Sequence, residues 1–65
     1  MEKLTERERT ILELVMKGYG NIQISKSIFI STHTVKAHMT AIIRKLNAKN
    51  RAHAVYIALK NDLLK

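Results

Sequence analysis

The chain contains no proline, and its apolar residues recur at a spacing near 3.6 along its whole length. Proline interrupts helices, and a 3.6-residue period places apolar side chains on one helix face. The chain has 65 residues, which is the length of one small domain. The sequence therefore predicts an all-α fold in a single domain that covers residues 1–65.

Four helices are predicted, at about 5–17, 22–28, 32–47 and 51–63. Each is preceded or opened by a residue that can accept hydrogen bonds from the free amides of a first turn. These N-cap candidates are Thr5, Asn21, Ser31 and Asn50. Thr5 with Glu8 also matches the capping-box pattern. Gly18 and Asn47 suit the left-handed conformation that ends many helices.

The apolar stripes of these helices give the expected core. It consists of Ile11, Leu12, Val15, Met16, Ile24, Ile28, Val35, Met39, Ile42, Ile43, Leu46, Ala54, Val55, Ala58 and Leu59. Between the second and third helices stand Phe29 and Ile30, without the usual turn glycine, which predicts a turn held by burying both side chains. A short helix, a tight turn and a longer helix are the plan of a helix-turn-helix.

Positive charge dominates the chain and is unevenly distributed. Twelve Lys and Arg against five Asp and Glu give a net charge of +7, and no acid occurs between Leu14 and Asn61. Such an asymmetry is typical of proteins that bind a polyanion. A basic surface that serves solubility alone is the alternative. A membrane-surface helix is disfavoured, because no one helix combines the basic charge with a wide apolar face.

Several classes of function are excluded or disfavoured. The chain has no cysteine, so it has no disulfide or thiolate metal site. His33, His38 and His53 lack the i, i+4 spacing of a helical metal site, and no nucleophile–base pair or phosphate-binding loop is recognisable. No apolar stretch approaches the ~20 residues of a membrane span, and the N-terminus is too charged for a secretory signal. We therefore expect a cytoplasmic, nucleoid-associated protein that is not an enzyme, with no metal, cofactor, small-molecule ligand or membrane contact in this chain.

The start of the third helix carries candidate DNA-binding residues. Because free amides and the positive dipole end of a helix attract phosphates, Ser31, Thr32 and Thr34 are predicted to cap the helix and also to donate to phosphate oxygens. Arg44 and Lys45 are predicted to hold the DNA backbone further along. The face opposite the apolar stripe offers base contacts through His33, Lys36, Ala37 and Thr40. Plain capping and a solvated lysine are the alternative interpretations.

Five motifs in order resemble one known family. They are Leu4-Thr5-x-Arg7-Glu8, Lys17-Gly18-x-x-Asn21-x-x-Ile24, Ile30-Ser31-x-x-Thr34-Val35-Lys36-x-His38, Ile42-x-x-Lys45-Leu46 and Asn50-Arg51-x-x-Ala54-Val55. They closely resemble the LuxR/FixJ-type (NarL-like, GerE-like) helix-turn-helix domain of bacterial response regulators and quorum-sensing regulators, and the resemblance covers about residues 4–60. Ile22 and Gln23 depart from it, since the family often has a basic residue and an acid there. Ser25 replaces a small apolar residue.

The resemblance implies a four-helix, sequence-specific reader of double-stranded DNA that regulates bacterial transcription as a dimer on paired half-sites. It implies base contacts near Lys36, Ala37 and Thr40, phosphate contacts near Asn21, Ser31, Thr34 and Lys49, and a homodimer through the fourth helix. RNA polymerase is a further candidate partner.

The residues of the fourth helix support a partner surface independently. Its second face carries His53, Tyr56, Ile57, Lys60 and Leu64, and apolar side chains on a second face are typical of an interface. Ordinary exposed apolar residues on a small domain are the alternative. Two other functions remain open: a basic module that binds an acidic partner protein, and a non-specific architectural DNA binder.

Overall fold

The computed structural model describes residues 3–63, and four helices make up most of that part of the chain. α1 spans Glu6–Met16, α2 Asn21–Ile28, α3 Thr32–Lys45 and α4 Arg51–Lys60. The predicted all-α fold is confirmed, and the predicted bounds agree closely for α1 to α3. α4 was predicted to reach residue 63 but ends at Lys60, because Asp62 turns into the left-handed region with a φ of 60°.

Three helix starts are capped as predicted. The Thr5 hydroxyl accepts a hydrogen bond from the Glu8 amide at 3.1 Å, and the Glu8 carboxylate accepts one from the Thr5 amide at 2.8 Å. Ser31 and Asn50 are the N-caps of α3 and α4. Each of these caps satisfies amides that have no partner within the helix.

The start of α2 differs from the prediction. Its N-cap is Gly20, whose amide donates to Gln23 Oε1 at 2.9 Å, and Asn21 is already the first helical residue. Asn21 was predicted as the N-cap on residue type alone. Its side-chain oxygen is instead bound by α4, as described below.

The turn between α2 and α3 is also built differently. Phe29 ends α2 with a φ of 58°, and 93% of its surface is exposed. Ile30 packs against the core, and its amide donates to the Ser25 carbonyl at 3.1 Å. The predicted burial is therefore correct for Ile30 and wrong for Phe29, because a left-handed residue at this point carries its side chain away from the core.

Gly18 and Asn47 adopt the predicted left-handed conformation, with φ values of 92° and 57°.

One apolar core holds the four helices together. Its buried residues are Leu4, Ile11, Leu12, Ile24, Val35, Met39, Ile42, Leu46, Ala54 and Ala58, and all but Leu4 were predicted. Leu59 was predicted to be buried but is 61% exposed. The core face of α4 is centred on the two alanines, with Val55 and Ile57 packed on either side, so Leu59 lies beyond that arc. Within residues 3–63, no helix is both long enough and apolar enough to cross a membrane.

Candidate nucleic-acid interface

The outward face of α3 brings together the residues predicted to contact bases. His33, Lys36, Ala37 and Thr40 are all exposed. The Thr40 hydroxyl donates to the Lys36 carbonyl at 3.0 Å. The Thr40 oxygen therefore remains available as an acceptor, and Lys36 provides a cation at the middle of this face.

The hydroxyls at the start of α3 bond to each other as well as to the helix. Ser31 Oγ accepts from the Thr34 amide at 3.0 Å and lies 2.9 Å from Thr34 Oγ1. One hydroxyl proton is used between the two side chains, which leaves the other able to donate outward. Thr32 is half-buried beside them. Capping by Ser31 is thus observed, and phosphate contacts by these hydroxyls remain a prediction.

Lys45 has a protein partner. Its Nζ donates to Glu8 Oε1 at 2.8 Å, and the Lys45 and Glu8 side chains are 14% and 5% exposed. Burial by itself raises the pKa of Glu8, but the hydrogen bonds from Lys45 and Thr5 and the lysine charge outweigh it, so the pKa of Glu8 is lowered below its ordinary value. The pair ties α1 to α3. Arg44 and Lys49, the other basic residues predicted to hold the backbone, are exposed.

Asn21, a predicted phosphate contact, is bound by a cation from α4. Arg51 Nη1 donates to Asn21 Oδ1 at 2.6 Å, and Arg51 Nη2 donates to the Tyr19 carbonyl at 3.0 Å. Sequence reasoning did not assign Arg51 to the site. Its one signal was its place in the Asn50-Arg51 motif, which gives no indication of a contact with α2.

An open groove of about 490 Å³ lies between the start of α2 and the first turns of α3. Its lining residues are Gly20, Asn21, Ile22, Gln23, Thr32 and Lys36. Ile22 is 64% exposed, although it is apolar. The groove therefore joins a predicted phosphate contact, Asn21, to a predicted base contact, Lys36.

Away from α3, four residues form what we call the α4 surface: His53, Tyr56, Leu59 and Lys60. The rings of His53 and Tyr56 stack with centroids 6.3 Å apart, and Lys60 Nζ lies 5.7 Å from the centroid of the Tyr56 ring. Tyr56 is 56% exposed. Ile57 was predicted to lie on this face but packs against the core, and Leu59 is exposed in its place. Leu64 lies outside the described residues.

The fold and this surface define a class of protein. A short α2, a tight turn and a longer α3 with an exposed outer face form a helix-turn-helix, and an acid-free basic stretch runs through it. These are the features of a helix-turn-helix DNA-binding domain.

Comparison with known proteins identifies the family. The profile described as bacterial regulatory proteins, luxR family, matches residues 2–58. The chain therefore belongs to the luxR family of bacterial regulatory proteins, and the resemblance seen in its motifs is confirmed.

Relatives and solved structures agree with this assignment. The oxygen regulatory protein NreC of Staphylococcus carnosus is 49% identical over 61 residues, which are 94% of this chain and 28% of that protein. NreC of Staphylococcus aureus (strain JH9) is 48% identical over the same length. The structure of the transcription factor GerE matches with a TM-score of 0.91 and 34% identity, covering 100% of this chain and 97% of that one. The response regulator ChrA of a heme-sensing two-component system matches with a TM-score of 0.90 and 36% identity, over 97% of this chain and 31% of that one. The chain thus spans 28% of the length of the NreC relatives.

Proposed function

We propose that this chain binds double-stranded DNA sequence-specifically, with α3 in the major groove, and so regulates bacterial transcription from the cytoplasm. The observation that carries the proposal is the outer face of α3, where a cation, a hydroxyl, an imidazole and a methyl group stand exposed together. In a helix-turn-helix, the second helix of the motif enters the major groove and the first crosses the phosphate backbone. A mixed face of this kind suits base edges better than a uniformly cationic one does.

Each residue of this face has a chemical role in the proposal. Lys36 donates to guanine O6 and N7, and Ala37 admits a thymine methyl group. The Thr40 hydroxyl, whose proton goes to the Lys36 carbonyl, accepts from the amino group of cytosine or adenine. His33, one turn closer to the start of the helix, lies beside them as a fourth base contact.

Phosphate contacts hold the motif in register on the duplex. We assign them to Asn21, Ser31, Thr32, Thr34, Arg44 and Lys49. Lys45 is left out, because its ammonium group is already bound to Glu8 in a largely buried pair. Such contacts give affinity and orientation without choosing a sequence.

The α4 surface is proposed as the homodimer contact that joins two such domains on paired half-sites. An exposed tyrosine next to an exposed leucine is the kind of apolar centre that interfaces use. Lys60 over the tyrosine ring and the stacked His53 give this centre a polar rim. RNA polymerase is proposed as the partner of the DNA-bound dimer.

The test is selection of bound duplexes from a random DNA pool at near-physiological salt, run in parallel with Lys36→Ala and with Lys17→Ala. Lys17 is an exposed cation that the proposal leaves unused, so its removal controls for charge. We expect the parent chain to enrich two related half-sites. We expect Lys36→Ala to lose preference at one position, at a cost of about 1–3 kcal/mol in specific affinity, and Lys17→Ala to keep the full consensus.

Other outcomes overturn the proposal in distinct ways. Binding without enrichment would mean that α3 contacts only the backbone, as in an architectural DNA binder. No retention of DNA even at low salt would favour a basic module for an acidic partner protein. An equal loss on all sequences for Lys36→Ala would move Lys36 to the phosphate contacts.

A further inference from the structure

Arg51 joins three parts of the fold at one point. It is the first residue of α4, and its guanidinium group reaches both the first residue of α2 and the connection between α1 and α2. The two acceptors, Asn21 Oδ1 at 2.6 Å and the Tyr19 carbonyl oxygen at 3.0 Å, are bound by different nitrogens of the guanidinium fork. A planar fork suits such a pair of oxygens, whereas the ammonium group of lysine is a compact point charge.

The charge of Arg51 is not balanced by any carboxylate in the described part of the chain. Within residues 3–63, no carboxylate forms an ion pair with Arg51, and both of its protein partners are neutral oxygens. The guanidinium group therefore keeps its positive charge and its remaining N–H donors at the start of α2. Positive potential at this place favours an approaching phosphate.

The contact also determines which end of the Asn21 amide is presented. Arginine has donors only, so the oxygen of the amide must face it and the NH₂ group must take the other position. Asn21 Nδ2 has no partner in the described part of the chain, and none of the buried side-chain nitrogens and oxygens there lacks a hydrogen bond. The NH₂ group is therefore reached by solvent, next to the groove that Asn21 shares with Lys36.

We propose that Arg51 is a positioning residue for DNA binding: by binding Asn21 Oδ1 it holds the asparagine NH₂ group outward, ready to donate to a backbone phosphate at the start of α2. This rests on the proposed function, since it requires a duplex to lie across α2. Without Arg51 the amide can rotate, and its oxygen would then meet the phosphate as a repulsive acceptor. Arg51 thus acts on the DNA through Asn21 and need not touch it.

The experiment is a double-mutant cycle in DNA affinity, measured on the duplex that the parent chain selects. Arg51→Lys keeps the charge but loses the fork, so we expect about a fivefold to tenfold loss of affinity, which lies within the net range of one ordinary hydrogen bond. In an Asn21→Ala background, we expect the same Arg51→Lys change to have almost no further effect. Arg7→Lys, at an exposed position on α1, is the matched control and should bind as the parent does.

A second variant keeps the test valid if Arg51→Lys does not fold. Asn21→Asp retains the oxygen that faces Arg51 and adds an ion pair, so its melting temperature should not fall. It replaces the outward NH₂ group by an oxygen, however, so its affinity for the duplex should fall at least tenfold, since a charge-assisted donor is exchanged for a like charge.

The outcomes separate this inference from the proposed function. Parent-like affinity in Arg51→Lys or in Asn21→Asp would overturn the positioning role while leaving specific binding intact. A loss on Arg51→Lys that is the same with and without Asn21 would also overturn it, because a purely structural role or a direct phosphate contact would behave in that way. If the parent chain selects no duplex, the proposed function fails, and this inference fails with it.

Discussion

Glu8 places a negative charge at the edge of the core, held by the Thr5 cap and by Lys45. Since its pKa is lowered in the folded state, the unfolded chain binds the proton more readily over the acidic range. The stability that Glu8 contributes is therefore fully present above its ordinary pKa and is lost as the pH falls through the lowered pKa of the folded state. We expect the free energy of unfolding, measured by urea denaturation from pH 7 to pH 3, to fall in that acidic window.

Two variants separate Glu8 from the other acids. Glu8→Gln should lower the stability at neutral pH by about 1.5–3 kcal/mol, the usual range for a hydrogen bond to a charged group. It should also make the free energy of unfolding depend less on pH in the acidic range. Glu13→Gln, at an exposed position on α1, should keep the parent's pH profile. If the free energy of unfolding of Glu8→Gln fell as steeply between pH 7 and pH 3 as that of the parent, some other group would be responsible for the loss of stability in acid.

Phe29 combines a strained backbone with an exposed ring. A left-handed conformation costs an L-residue roughly 1–2 kcal/mol, and a side chain that is 93% exposed recovers almost nothing by burial. We expect Phe29→Gly to raise the free energy of unfolding by about 0.5–1 kcal/mol, after allowing for the greater freedom of glycine in the unfolded chain.

The control for this prediction is Phe29→Val. Its β-branched side chain fits the left-handed region worse than phenylalanine does, so it should destabilise the domain in thermal or chemical denaturation. If Phe29→Gly were destabilising, the ring would have a packing role that its exposure does not show.

Among the helices, the sequence predicted α1 to α3 and their core well and α4 less well. The pair Ile11 and Leu12 lies between Thr10 and Glu13. Ile24 lies between Gln23 and Ser25, so a period of 3.6 identifies the face of these residues. α4 reads RAHAVYIALK, which is apolar on several sides, and the pattern allows the helix to rotate by one residue. Only packing against the other helices shows that Ile57 faces the core and Leu59 faces solvent.

The sequence pattern could not predict which side chains of different helices contact each other. Arg51 and Asn21 are 30 residues apart in sequence, and Lys45 and Glu8 are 37 apart. The common exposed face of the four base candidates of α3 could be predicted, because residues on one face of a helix follow from their spacing in the sequence. Their contacts with bases stay a prediction.

For α4, we expect Tyr56→Asp to reduce cooperative binding to paired half-sites while affinity for a single half-site stays close to that of the parent. A carboxylate at the centre of the α4 surface would be repelled by its copy across a symmetric interface and would have to be desolvated there. Cooperativity would be measured by titrating duplexes that carry one or two half-sites.

The matched control for the α4 surface is Tyr56→Phe, which keeps the ring that stacks on His53 and lies under Lys60. It should retain most of the cooperativity, and circular dichroism would show that both variants are folded. Undiminished cooperativity in Tyr56→Asp would place the dimer contact elsewhere on the domain.

At the scale of the whole molecule, the net charge and the arrangement of the helices contribute to the proposed DNA binding in different ways. The net charge of +7 gives attraction to any duplex through release of condensed counterions, and this attraction falls as salt rises. A core of ten buried residues holds α3 and the start of α2 together, and in the proposed function a few side chains on these helices select the site. Salt dependence and sequence preference are therefore expected to respond to different substitutions.

A substitution at Ile22 would show whether salt dependence can change while sequence preference stays the same. It is 64% exposed in the groove between α2 and α3, at a position where the family often has a basic residue. If the DNA backbone passes this groove, Ile22→Lys adds one phosphate contact, and the slope of log K against log salt should become steeper by about 0.9 with no change in the selected consensus. Thr10→Lys adds the same charge in the hollow that Thr10 forms with Glu6 and Arg7 on α1. None of the proposed contact residues lines this hollow, so the variant should leave the slope as it is. Equal slopes for the two lysine variants would mean that the duplex does not lie along the start of α2, and the phosphate contacts would then have to be sought on the far side of α3.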